Sequence, residues 1–129
     1  MAVHVEIVTP SDVAWKGTAD EVSAPGLLGE FGVLPEHAAL LTAIRAGVVT
    51  VVQGGVSTRL VVGPGFAEVG PEQVTLIVDL CQPATAVDKA EAAKALAEAE
   101  SVLSHADPDT AEHRAAFAKA ALATARLDA

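Results

Sequence analysis

The chain changes character at Pro83. Before it, short β-branched segments alternate with Gly and Pro, and after it Ala, Glu and Lys dominate. The first composition suits strands, because branched side chains pack well on a pleated surface and Gly and Pro punctuate the turns. Segments of this kind are Val3 to Val8, Val13 to Lys16, Ala19 to Ser23, Val48 to Gln53, Ser57 to Val62, Phe66 to Val69 and Val74 to Val78. Val3, Val5 and Ile7 alternate with His4 and Glu6, the period of a half-buried strand. Gly54-Gly55 supplies a two-residue link suited to a type I′ hairpin. With strands recurring roughly every ten residues, residues 1–84 are expected to form a flattened β-sandwich or barrel.

The second composition reads as helix. Asp88 followed by Glu91 has the spacing of an N-cap and its capping-box partner, opening a helix to about Ser104. Asp107-Pro108 then starts a second helix, with Pro108 at its first position. His105-Ala106 leaves room only for a short turn, so residues 85–129 form an antiparallel hairpin. The fold class is therefore mainly β plus α: a sandwich or barrel followed by two helices.

Ala92, Leu96, Ala99 and Leu103 mark one stripe of this hairpin, and Ala111, Ala115, Ala118, Leu122 and Ala125 the other. Alanine permits close approach but buries little area, so at roughly 25 cal/mol per Å² the seam is weaker than a leucine-rich one. High alanine propensity would keep separated helices partly formed. The seam suits a conformational switch, and equally a hairpin that stays docked.

Composition removes several function classes. The 129 residues carry a formal net charge of -9 and no Tyr, so neither a phosphate-neutralising patch nor a base-stacking platform is present. Nucleic acid is not an expected partner. The same acidity opposes an anionic bilayer, so membrane association would come through a protein partner rather than by direct insertion. No apolar run approaches the roughly 18 residues of a membrane span, and the start of the chain is not a signal pattern, so a soluble intracellular protein is expected. Divided near Val87, the N-terminal part holds 9 of the 17 acidic and 3 of the 8 basic residues, which leaves most cations in the tail. Cys81, the single cysteine, follows Leu76-Ile77-Val78 and reads as a small core residue. His4 reads as an outward strand residue, with no His or Cys at metal-ligand spacing.

No catalytic constellation emerges either. Ser11, Ser23, Ser57, His4, His105 and His113 are linked by no nucleophile or base motif, and the glycines form no phosphate loop. No catalytic residue, metal site or cofactor is expected.

The stretch from Gly29 to Thr42 carries the most unusual pattern. Gly29 and Gly32 can take positive φ and Pro35 lacks a donor, so the segment is expected to interrupt a sheet ladder. Glu30 should be exposed. Phe31, Val33 and Leu34 are too apolar for a solvated loop and should fold over a core edge, which Leu40, Leu41 and Ile44 continue.

Gly29-Glu30-Phe31-Gly32-Val33-Leu34-Pro35, then His37-Ala38 and Leu40-Leu41-Thr42-Ala43-Ile44 with Gly47 following, resembles the long internal signature of the epsilon subunit of the bacterial F-type (F1Fo) ATP synthase. Gly65-Phe66-Ala67-Glu68-Val69 and Val74-Thr75-Leu76-Ile77-Val78-Asp79 are similar to the end of that family's sandwich. Departures are Glu36 and Ala39 where Gly and Pro are common, and Gly63-Pro64 in place of Ser-Gly.

The resemblance implies a non-catalytic rotor subunit at the cytoplasmic face of the inner membrane, bound to the gamma subunit and the c-ring. Glu30 would meet basic groups of the c-ring loops, while Phe31, Val33, Leu34 and His37 would form the adjoining contact surface. The hairpin would extend toward the alpha and beta subunits and modestly oppose ATP hydrolysis, with Arg114, Lys119 and Arg126 as its cations. Some relatives bind ATP on the folded hairpin through an Asp and an Arg. Asp88 fits that motif, but Glu91 replaces the cation with an anion, so weak or absent nucleotide binding is expected. The alternative reading is a stand-alone ligand-binding β-sandwich with a helical appendage.

Overall fold

The computed structural model describes residues 2–27, 29–34 and 39–129. In chain order the strands are β1 Val3–Val8, β2 Val13–Ala19, β3 Glu21–Gly26, β4 Gly29–Val33, β5 Leu40–Ile44, β6 Gly47–Gln53, β7 Val56–Val62, β8 Gly65–Val69, β9 Gln73–Val78 and β10 Cys81–Pro83. A short 3-10 turn, Ala84–Ala86, leads to helices α1 Lys89–Leu103 and α2 Ala111–Asp128. The strands join in one sheet in the order β10-β7-β6-β3-β5-β8-β9-β1-β2, with β4 added to β3. β1 lies parallel to β9, whereas its pairing with β2 is antiparallel. The sheet curls into a near-barrel, and at the β2–β3 corner the Asp20 N–H donates to the Val52 carbonyl at 2.7 Å, extending the β3–β6 ladder.

The period-2 reading of β1 holds. Val3, Val5 and Ile7 are at most 1% exposed and meet Val49, Val51 and Leu76 in the core, while His4 faces solvent. Gly54 and Gly55 have φ of 56° and 78° and close a hairpin with Gln53 opposite Val56, the two-residue geometry expected of them. Cys81 packs against this core from β10, and its partial burial pushes the thiol pKa up.

The segment after Gly26 departs from expectation. Gly29–Val33 does not interrupt the ladder but forms β4, paired with β3 from Gly26↔Gly29 to Val22↔Val33. Gly29 takes a positive φ of 139°, whereas Gly32 sits in the ladder opposite Ser23. Two glycines are compatible with a strand here because β4 has a single neighbour and needs hydrogen bonds on one side only. Leu40–Ile44 is likewise a strand, paired along its length with β8.

The helices show one confirmation and two corrections. Asp88 caps α1, its carboxylate accepting the Glu91 N–H at 3.1 Å. α2 starts later than the Asp107-Pro108 reading: Thr110 is its cap, accepting the His113 N–H at 3.2 Å, and Pro108 lies in the preceding turn. The α1 stripe buries Ala92 and Ala99, with Leu96 and Leu103 half-buried. On α2 the stripe holds only at its C-terminal end, where Ala125 is buried and Leu122 half-buried; Ala111, Ala115 and Ala118 are exposed, while Ala116 and Ala123, outside the stripe, are buried. A helix this rich in alanine offers several stripes of nearly equal apolar content, so packing against α1, β6 and β7 chooses the phase.

Candidate interaction surface

Strand register builds a continuous apolar row on the outside of the barrel. Ala43 lies opposite Phe66, Phe66 opposite Ile77, Ile77 opposite Val8, and Val8 opposite Val13. Each points away from the core because its neighbours along the strand, such as Ala67 and Leu76, point in. Phe66 is 59% exposed, Ile77 53% and Val13 49%, an uncommon degree of exposure for three large apolar side chains in one row. The next row is polar apart from Leu41 and reads Leu41, Glu68, Thr75, Glu6, Lys16. An apolar band edged by charged groups is the anatomy of a protein-binding face. Such a face can seat a partner; no three His, Cys, Asp or Glu side chains gather as a metal site among the described residues.

The row ends beside the Gly29 to Thr42 segment. The Leu27 N–H donates to the Ala43 carbonyl at 3.0 Å, which ties the β3–β4 turn to the end of the row. Within the segment, Glu30 is exposed on β4 opposite Pro25, and Leu34 is exposed just beyond it. Phe31 is only half-buried, packed on the core over Gly26. Val33 corrects the expected contact set: at 1% exposure its side chain belongs to the core, because it faces inward opposite Val22 and presents nothing to a partner. His37 lies outside the described residues.

In the tail, the three expected cations are brought to different places. Arg114 donates to the Asp109 carbonyl at 2.8 Å. Lys119 pairs across the hairpin with Glu98 at 3.2 Å. Arg126 reaches off the helix, its Nε donating to Gln82 Oε1 at 3.1 Å. Glu91 is exposed near Arg126, and both line a cleft with Gln82, Asp88 and Ala92.

Sequence reasoning missed the outer row. Its signal was present in part: Phe66-Ala67 and Leu76-Ile77-Val78 are unbroken apolar runs where a solvated outer face would alternate. Joining Val8 and Val13 to them requires the parallel β1–β9 pairing, which no local pattern announces.

The sequence profile described as "ATP synthase, Delta/Epsilon chain, beta-sandwich domain" matches residues 2–84. The ATP synthase epsilon chain of Synechococcus sp. (strain RCC307) is 38% identical over all of this chain and 97% of that relative. That of Francisella tularensis subsp. holarctica is 40% identical, covering 98% of this chain and 88% of the other. Among solved structures, a chain of the Euglena gracilis mitochondrial ATP synthase, in a complex described as OSCP/F1/c-ring, superimposes with a TM-score of 0.86 at 21% identity. That alignment covers 95% of this chain and 78% of the other. A Tetrahymena thermophila mitochondrial ATP synthase chain, from a central stalk and c-ring structure, gives a TM-score of 0.64 at 15% identity over 99% and 96%. Sequence identity over nearly the whole length, with the same β-then-helical layout, leaves one conclusion: the chain belongs to the ATP synthase epsilon chain family.

Proposed function

We propose that this subunit is a rotor clamp of a proton-translocating ATP synthase, seated on the gamma subunit through the outer row and on the c-ring through the Gly29 to Thr42 segment. The observation that carries the reading is the row Ala43, Phe66, Ile77, Val8 and Val13, in which Phe66, Ile77 and Val13 are exposed and have no cover among the described residues. A clamp needs a broad rigid contact, and residues held on paired strands supply one at low entropic cost. Glu30, exposed and aimed away from the core, is the group proposed to meet c-ring cations. The subunit would then lie at the cytoplasmic face of the inner membrane through the complex; among the described residues no helix is long and apolar enough to cross a membrane. Co-purification tests the reading: the chain should be retained by gamma, and a chain that elutes alone would favour a stand-alone ligand-binding sandwich.

Regulation is a separate part of the proposal. The hairpin would oppose ATP hydrolysis when extended toward the alpha and beta subunits, with Arg114, Lys119 and Arg126 meeting acidic groups there. Arg126 and Lys119 are engaged within the docked hairpin, which supports a modest effect. Removing residues 88–129 should raise ATPase activity of the assembled complex about twofold, and unchanged activity would count against inhibition. Tight ATP binding is not expected, because the Asp88 carboxylate caps α1 and Glu91 brings negative charge to the cleft. A micromolar complex in calorimetric titration would reverse that expectation.

A further inference from the structure

The two ends of the sheet are finished differently. At one end β10 is three residues long and closes on Pro83, which has no N–H to offer a further strand. At the other end β2 is seven residues long, contains no proline and carries one charged side chain, Lys16. A strand of that length at a sheet end presents backbone donors and acceptors to any chain that lies beside it.

The direction of those groups follows from β1. The His4 N–H donates to the Glu72 carbonyl at 2.8 Å, toward β9, so by alternation Val3, Val5 and Ile7 turn their backbone groups toward β2. Their partners there are Ala19, Gly17 and Trp15. Lys16 and Thr18 therefore aim N–H and C=O off the sheet, and both residues are exposed. Among the described residues neither finds a backbone partner on that side, whereas farther along the same edge the Asp20 N–H is taken by the Val52 carbonyl at 2.7 Å.

This edge continues the outer apolar row. A register shift between Ile7 and Val8 leaves Ala14 as the extra residue of β2 and sets Val13 opposite Val8, at the last position of the row. A partner that covers Phe66, Ile77 and Val13 therefore arrives at the rim of β2, with Lys16 next along it.

We propose that gamma adds an extended segment to the outer edge of β2 as a further strand, bonded to the backbone of Lys16 and Thr18 and carrying an acidic side chain beside Lys16. The inference rests on the reading that the outer row seats gamma. Apolar burial is non-directional and does not fix how far a partner slides along the face. Main-chain bonds to a strand edge fix the register, and an acidic neighbour across from Lys16 sits where opposite charges attract.

Residue-level amide exchange of the full chain, alone and bound to gamma, tests the added strand. The Lys16 and Thr18 amides are expected to exchange about tenfold more slowly in the complex. Lys16→Pro removes the outward N–H while the β1 ladder, bonded through Trp15 and Gly17, stays in place, so β1 and β9 should keep their protection. Gamma should retain that variant about tenfold less well, and Lys16→Ala, which keeps the N–H, less than about threefold less well. Unslowed Lys16 and Thr18 amides in the parent complex, or equal retention of Lys16→Pro and Lys16→Ala, would overturn the added strand. If a Phe66→Glu, Ile77→Asp variant loses retention alongside such a result, the clamp stands without the strand; full retention of that variant would remove the clamp reading itself.

Discussion

The outer face of β6 and β7 and the outer face of β8, β9 and β1 both carry apolar side chains, yet among the described residues only the first is covered. Val61, fully buried, faces outward beneath α2, whereas Ile77 and Phe66 on the second face are more than half exposed. The side chains also differ in kind. Under the hairpin the contacts are small, with Val61 on the sheet and Ala123 and Ala125 on α2 all buried. On the bare face they are large, which suits a partner that must be gripped firmly. The contrast teaches that an exposed apolar residue has meaning through its row: isolated Val56 at a hairpin end is ordinary, but Phe66, Ile77 and Val13 in register form a surface.

Placing the same charge on each face should break the symmetry most sharply. Val61→Asp would bury a carboxylate with no partner and is expected to cost about 4 kcal/mol, whereas Ile77→Asp should cost under about 1 kcal/mol. Urea unfolding of both variants decides this, and equal losses would mean that the two faces are not different environments.

Binding should invert that order. Phe66→Glu combined with Ile77→Asp is expected to weaken retention by gamma about 100-fold, as loss of central apolar anchors does. Wild-type retention on a gamma column would move the interface elsewhere on the molecule.

A smaller effect tests the register that aligns the row. A Cβ added at Gly65 would sit 1.9 Å from the Ile77 carbonyl oxygen, so Gly65→Ala must push β8 from β9. About 2 kcal/mol of destabilisation is expected, together with weaker gamma binding, because Phe66 and Ile77 would no longer be level. A stability equal to that of the parent would show that the strands yield at little cost.

The smallest effect lies at the edge of the covered side. Burial raises the Cys81 pKa, so at a given pH the folded chain holds less thiolate than the unfolded one. Iodoacetamide should label the native thiol several-fold more slowly at mildly alkaline pH. The sign for stability follows: the folded state keeps the proton longer, so this group's contribution is complete below the ordinary thiol range and is lost as pH rises through the raised value.

Much of this was readable beforehand, and the failures are instructive. The alternation of Val3, Val5 and Ile7, the Gly54-Gly55 link and the Asp88 cap are local devices, each decided within a few residues. β4 escaped notice because its glycines argue for a turn until the neighbouring strand β3 is known. Val33 shows the same limit: its apolar character places it at a core edge and the resemblance assigns it to the contact surface, and only its pairing with Val22 shows that the side chain belongs to the core. The phase of α2 was unreadable because alanine fills seven of the eleven positions from Ala115 to Ala125, so no period stands out.

The linear chain therefore established the β-then-hairpin order and, through the Gly29 to Thr42 pattern, the family. These follow from backbone preference and short-range hydrogen bonding, which act between near neighbours. The apolar row, the burial of Val33 and the bonds from Lys89 and Arg59 to carbonyls of α2 came from packing. Each joins residues on different elements, and their proximity is set by which strands and helices bury one another best.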